Sequence, residues 1–122
     1  MNVLMVLLGG MIGAPLRYLT DKAVQARHDS VLPLGTFTVN ITGCFVLGAL
    51  AAAAAVHGLP PKVLLLLGTG VCGALTTFST FAFETVRLLE DGSLAEAGLN
   101  ALGSLLLGLA AATAGYALLT WL

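Results

Sequence analysis

Charge is what this sequence lacks. Only 9% of its 122 residues are Asp, Glu, Lys or Arg, where a soluble domain carries about 25%. That shortage excludes an ordinary water-soluble globule and a disordered chain. Lys and Arg number 5 against 6 Asp and Glu, so no basic surface awaits a phosphate backbone and no nucleic-acid partner is expected. Cysteine is scarce too. Cys44 and Cys72 stand in apolar stretches, outside any CxxC pair and away from histidine. They are expected as small buried side chains, not as disulfide or metal positions. Catalytic patterns are missing as well: no Ser-His-Asp set, no glycine-rich phosphate loop after a strand, no His/Cys/carboxylate cluster. The chain is not expected to be an enzyme. The apolar N-terminal stretch has no basic leader and no small-residue cleavage site, and is expected to stay as a first helix.

What is present is hydrophobic residue, 58% of the total, at a mean hydropathy of +1.01. A transmembrane helix takes roughly 20 apolar residues, so four use about 80 and leave about 40 for caps, turns and one longer connection. The expected fold is an all-α membrane protein of four transmembrane helices forming one domain, residues 1–122. The first run is Val3 to Leu19, with Gly9 and Gly13 offering a close-packing face and Arg17-Tyr18 suited to an interface. A polar loop is expected from Thr20 to Pro33, containing Asp21, Lys22, Arg27, His28 and Asp29. The second run is Gly35 to Val56, stopped by His57-Gly58-Leu59-Pro60-Pro61. The third, Lys62 to Leu89, is long for one span. Its glycines and hydroxyl residues make a poor helix interior, so a break is expected near Gly73 to Thr77, mid-membrane and enclosed by protein. The fourth is Ala95 to Leu122, with Trp121 placed for an interfacial belt.

Polar groups inside an apolar bundle are expensive and mark function. Three places qualify. Asn40 lies in the second run with Thr36 and Thr38 nearby, and its alternative role is an interhelical hydrogen bond. Thr76-Thr77-Phe78-Ser79-Thr80-Phe81 with Glu84 follows the break; Phe78 and Phe81 share a helical face, and the alternative is core aromatics with hydroxyls bonded to the preceding turn. Asn100 and Ser104, one turn apart in the fourth run, form a weaker polar stripe.

Three segments together carry a resemblance: Gly9-Gly10-x-x-Gly13-Ala14-x-x-Arg17-Tyr18, Gly35-Thr36-x-x-Val39-Asn40-x-x-Gly43, and Gly70-x-x-Gly73-x-x-Thr76-Thr77-Phe78-Ser79-Thr80-Phe81-x-x-Glu84. In this order and spacing the chain resembles the Fluc/CrcB fluoride channels. The resemblance implies an antiparallel dual-topology homodimer with two anion pores and a sodium ion at the dimer interface. It implies a fluoride-selective channel that lets cytoplasmic fluoride leave passively down its electrochemical gradient, lowering its toxicity. Asn40, Phe78, Ser79, Thr80, Phe81 and Ser104 would line the pore. Backbone carbonyls of Gly73 and Thr76 would hold the sodium. Arg17, Thr36 and Glu84 would support the pore or its vestibule. The setting implied is a prokaryotic inner membrane. Asn100 stands where many relatives have tyrosine, Gly108 where some have a second serine, and Ala74 replaces a glycine. The rival reading is a small dual-topology proton-coupled cation or drug exporter. Such a protein needs a carboxylate deep in its first helix, and Val3 to Leu19 holds none.

Overall fold

Local side-chain pairs decide where the first helix stops. Gln25 Nε2 donates to Asp21 Oδ1 at 3.1 Å, and the Lys22 ammonium lies 5.9 Å from the centre of the Tyr18 ring. Each pair is four residues apart, where neighbours meet on a helix surface. Arg27 closes the last turn, where a cation complements the helix dipole. Helix α1 therefore runs Asn2–Arg27, and most of the expected Thr20–Pro33 loop is helix. The computed structural model describes residues 2–28 and 31–122; Asp29, expected in that loop, lies outside the described residues.

The other helices follow in order. Helix α2 is Leu34–Val56. A turn through Gly58, whose φ of 69° suits glycine, leads to α3, Pro61–Leu64, with proline in its first turn, where its missing N–H costs nothing. A π-helical segment, Leu65–Cys72, carries Gly68 and Gly70, and a short α4, Gly73–Leu75, follows it. Thr76 (φ −81°, ψ 158°) and Thr77 (φ −149°, ψ 125°) are extended. Helix α5 is Phe78–Glu90. A tight turn at Gly92, φ 79°, starts α6, Leu94–Trp121. Among the described residues, 4 stretches are long and apolar enough to cross a membrane: Asn2–Arg27, Leu34–Val56, Pro61–Glu90 and Leu94–Trp121.

Small residues set how these helices meet. In lipid there is no hydrophobic drive between helices, so close backbone approach and van der Waals contact must hold them together. A side chain on Gly48 would strike the Ala112 backbone, and one on Gly115 the Phe45 backbone. This makes α2 against α6 the most extensive interface. Gly9 and Gly13 of α1 meet the π-helical segment in the same way: a Cβ on Gly9 would stand 2.6 Å from Gly70 Cα and 2.8 Å from Val71 N. Helix α5 is held much more loosely, with Leu88 its one buried residue.

Adjacent glycines of α1 provide a test of this packing. Gly9→Ala should cost about 1–3 kcal/mol through overpacking and lower the melting temperature of the purified protein in detergent. At Gly10 a Cβ would find only the Ala74 Cβ, at an ordinary 4.0 Å, so Gly10→Ala should melt at or slightly above the parent, alanine being the better helix former. A Gly9→Ala protein that melts with the parent would show that this interface is wrong.

Candidate functional site

Two extended residues between helices leave backbone donors and acceptors without helical partners, a cost that apolar surroundings magnify. Asn40 meets it. Its Nδ2 donates to the Thr77 carbonyl at 3.0 Å, and the Thr77 N–H donates to its Oδ1 at 2.8 Å. A carboxamide carries both a donor and an acceptor, so it serves the backbone as a neighbouring strand would. Thr77 Oγ1 in turn accepts the Thr80 N–H at 3.2 Å and lies 3.4 Å from Ser79 Oγ. Thr77 is thus the N-cap of α5. Thr76 finishes α4, its Oγ1 and its N–H both donating to the Cys72 carbonyl at 2.9 Å.

These bonds divert donors from two carbonyls. In a continuous helix the Thr77 N–H would serve Gly73 and the Thr80 N–H would serve Thr76. Here the first goes to Asn40 and the second to the Thr77 hydroxyl. The Gly73 and Thr76 carbonyls are left without those partners. Among the described residues no group of three or more His, Cys, Asp or Glu is placed to hold a metal. Cys44 is half-buried and Cys72 buried, both as free thiols.

A cavity of about 340 Å³ opens beside the interruption and brings together Asn40, Thr76, Thr77, Phe78, Phe81 and Ser104. The two phenyl rings lie 6.0 Å apart, tilted by 47°. Ser104 Oγ is buried and has no hydrogen-bond partner among the described residues, an unusual state for a hydroxyl. No charged side chain lines this space. A second cavity, of about 220 Å³, lies toward the end of α1 and is lined by Arg17, Tyr18, Asp21, Thr36, Thr77 and Thr80. Thr77 borders both.

Thr36 is 5% exposed, and its hydroxyl donates to Glu84 Oε1 at 2.5 Å. Glu84 also lines a third cavity, of about 450 Å³, with Gln25, His28, Arg87 and Asp91.

The sequence candidates therefore separate. Asn40, Phe78, Phe81 and Ser104 share one cavity, while Arg17, Thr36 and Thr80 line another. Ser79 is exposed and lines none of the three. Asn100 is buried against α5, donating to Thr85 Oγ1 at 2.8 Å. Sequence reasoning placed Thr77 in the polar segment at the expected break without assigning it the capping of α5, and it passed over Thr85, which carried no signal because its role depends on which way α6 faces.

Four apolar spans around a polar interruption define an integral, multi-pass helical membrane protein. Within that class, residues 4–116 match the family described as CrcB-like protein, Camphor Resistance (CrcB). The chain is 57% identical over 115 residues to the Fluoride-specific ion channel FluC 1 of Streptomyces avermitilis, covering 94% of this chain and 93% of that one. It is 54% identical over 124 residues to the protein of the same name from Frankia casuarinae, covering 97% and 95%. With the protein of that name from Nocardia farcinica it shares 53% over 120 residues, covering 98% and 82%. The chain belongs to the CrcB-like family.

The Asn40 pairing predicts an unequal response to substitution. Asn40→Leu leaves the half-buried Thr77 N–H and carbonyl unpaired, where a fully buried group would cost about 1–3 kcal/mol, and should lower the melting temperature clearly. Asn40→Asp replaces the Nδ2 donor with an oxygen facing the Thr77 carbonyl and should be no better. Thr77→Ser keeps the backbone groups and the capping hydroxyl and should melt near the parent. Equal melting of all three would show that the pairing does not hold the interruption.

Proposed function

We propose that this protein is a fluoride-selective channel that lets cytoplasmic fluoride leave the cell passively. The observation that carries the reading is the cavity uniting Asn40, Phe78, Phe81 and the unpartnered hydroxyl of Ser104. Fluoride is small and strongly hydrated, and a pore must replace its water with donors. Asn40 Nδ2 has a second hydrogen beyond the one given to Thr77, and Ser104 has an unclaimed O–H. Phenyl rings are positive at the edge, so Phe78 and Phe81 attract an anion without holding it. Conduction needs binding that is favourable but releasable, and a lining free of lysine and arginine meets that need. The relatives named as fluoride-specific channels support the same reading.

The interruption at Thr76-Thr77 belongs at mid-membrane, where its polar groups reach an ion path. The functional unit is an antiparallel dual-topology homodimer. Phe78 is 79% exposed in the single chain, and Ser79 and Thr80 are exposed beside it. Hydroxyls facing lipid are disfavoured, and a second copy would cover them. The Gly73 and Thr76 carbonyls suit a hard cation such as sodium, which favours oxygen ligands. When bound, sodium supplies a fixed positive charge that offsets the cost of an anion at low dielectric. The setting is a prokaryotic inner membrane. Hydrogen fluoride crosses membranes as a neutral acid and ionises in a less acidic cytoplasm, and the membrane potential then drives the anion out.

Liposomes holding the purified protein provide the test. Loaded with fluoride, they should empty once a potassium ionophore balances charge; loaded with chloride, they should not. Phe81→Ile keeps an apolar side chain but removes the ring edge, and should lose most of the flux while staying folded. Equal release of both anions would end the selectivity claim. Release only under a proton gradient would point to an exporter.

A further inference from the structure

We propose that Asn100 is a positioning residue: through Thr85 it sets the rotation of α5, and so the aim of the Phe81 ring into the cavity. This inference rests on the channel reading above. Asn100 is 5% exposed. Its Nδ2 donates to Thr85 Oγ1 at 2.8 Å, and Thr85 Oγ1 donates to the Phe81 carbonyl at 2.8 Å. The order of donors is fixed by chemistry. A threonine hydroxyl has one hydrogen, here given to the preceding turn as is usual in helices, so toward α6 it can only accept. An amide N–H is the group that completes this line, and each bond in such a line strengthens the next.

The placement along the α5–α6 hairpin gives the relay its consequence. Moving away from the turn at Gly92, α5 presents Leu88, Thr85 and Phe81 at helical spacing, while α6 presents Ala97, Asn100 and Ser104. Leu88 and Ala97 are buried; Phe81 and Ser104 line the 340 Å³ cavity. The Asn100–Thr85 bond lies between the apolar end and the cavity end. Leu88 is the only buried residue of α5, so apolar packing fixes the helix near the turn and little beyond it. Further along, the polar ties decide. Glu84 is bonded to Thr36 of α2 and its neighbour Thr85 to Asn100 of α6. Adjacent residues tied to different helices leave α5 no freedom to roll. Releasing the Asn100 tie lets it turn about the other, which swings Phe81.

The test compares fluoride flux per folded protein in liposomes, with melting temperature measured in parallel. Asn100→Leu and Thr85→Val should each lower flux about tenfold, the scale on which small displacements of site groups act. The double variant should lose little more than either single one, because both cut one line. Thr85→Ser keeps the hydroxyl and should restore flux to within about twofold of the parent. Thr85 is only half-buried, so the valine and serine pair remains readable if Asn100→Leu fails to fold. Parent-like flux per folded protein in Thr85→Val, whatever its melting temperature, would overturn the positioning role, as would equal impairment of Thr85→Val and Thr85→Ser. A parent protein that moves no fluoride would overturn the channel reading itself, and this inference with it.

Discussion

The pairing of one side-chain amide with one backbone residue supports everything else in this site. Extended residues between helices expose main-chain groups that apolar surroundings cannot satisfy. Asn40 supplies both the donor and the acceptor that Thr77 needs. Once Thr77 is held in this way, its hydroxyl is free to cap α5, and α5 starts with Phe78 beside the cavity. The same diversion of donors leaves the Gly73 and Thr76 carbonyls without helical partners. A continuous helix would have none of these: no cap at Thr77 and no freed carbonyls.

Glycine is what lets the framework reach this geometry. Polar pairing at about 3 Å requires backbones that approach closely, and bulky side chains forbid it. Gly43 lies one turn from Asn40, and a Cβ there would collide with the Thr76 side chain. Gly48 and Gly115 bring α2 and α6 into backbone contact, and Gly9, Gly13 and Gly70 do so for α1 and the π-helical segment. The framework of α1, α2, α6 and that segment is therefore tight. Helix α5 hangs from it by polar ties at Thr77, Glu84 and Thr85. Close backbone packing and polar ties are thus assigned to different elements.

Much of this was legible in the sequence because polar residues stand out in an apolar chain. The four spans came from run length, and Asn40 and the Thr76 to Phe81 segment from their cost in lipid. What was hidden depended on neighbours distant in sequence. Asn40 taken alone reads somewhat more readily as an interhelical bond than as a pore group, and only its 3.0 and 2.8 Å contacts with Thr77 identify its partner. Asn100 and Ser104 share a helix face by spacing, yet Asn100 turns to Thr85 while Ser104 reaches the cavity. The extra turns of α1 are not legible from polarity, because Thr20 to Arg27 is as polar as a loop. Side-chain pairs along the helix surface outweighed it. The π-helical turn over Leu65–Cys72 left only its glycines as a trace.

Charged side chains and the Phe78–Phe81 pair line separate cavities, and the separation has a physical sense. Arg17 and Asp21 line the cavity at the end of α1; Glu84, Arg87 and Asp91 line the one at the end of α5. The cavity holding Phe78 and Phe81 has no charged wall. Full charges near water are screened and can gather or sort ions at little cost. Inside low dielectric the same charge would bind an anion too tightly to release it, or repel it altogether. Amide and hydroxyl donors with phenyl edges lie between these extremes. In the proposed channel they would replace hydration without creating a trap, provided the donors are held in place beforehand. The Thr77 pairing and the ties on α5 are the bonds that would hold them.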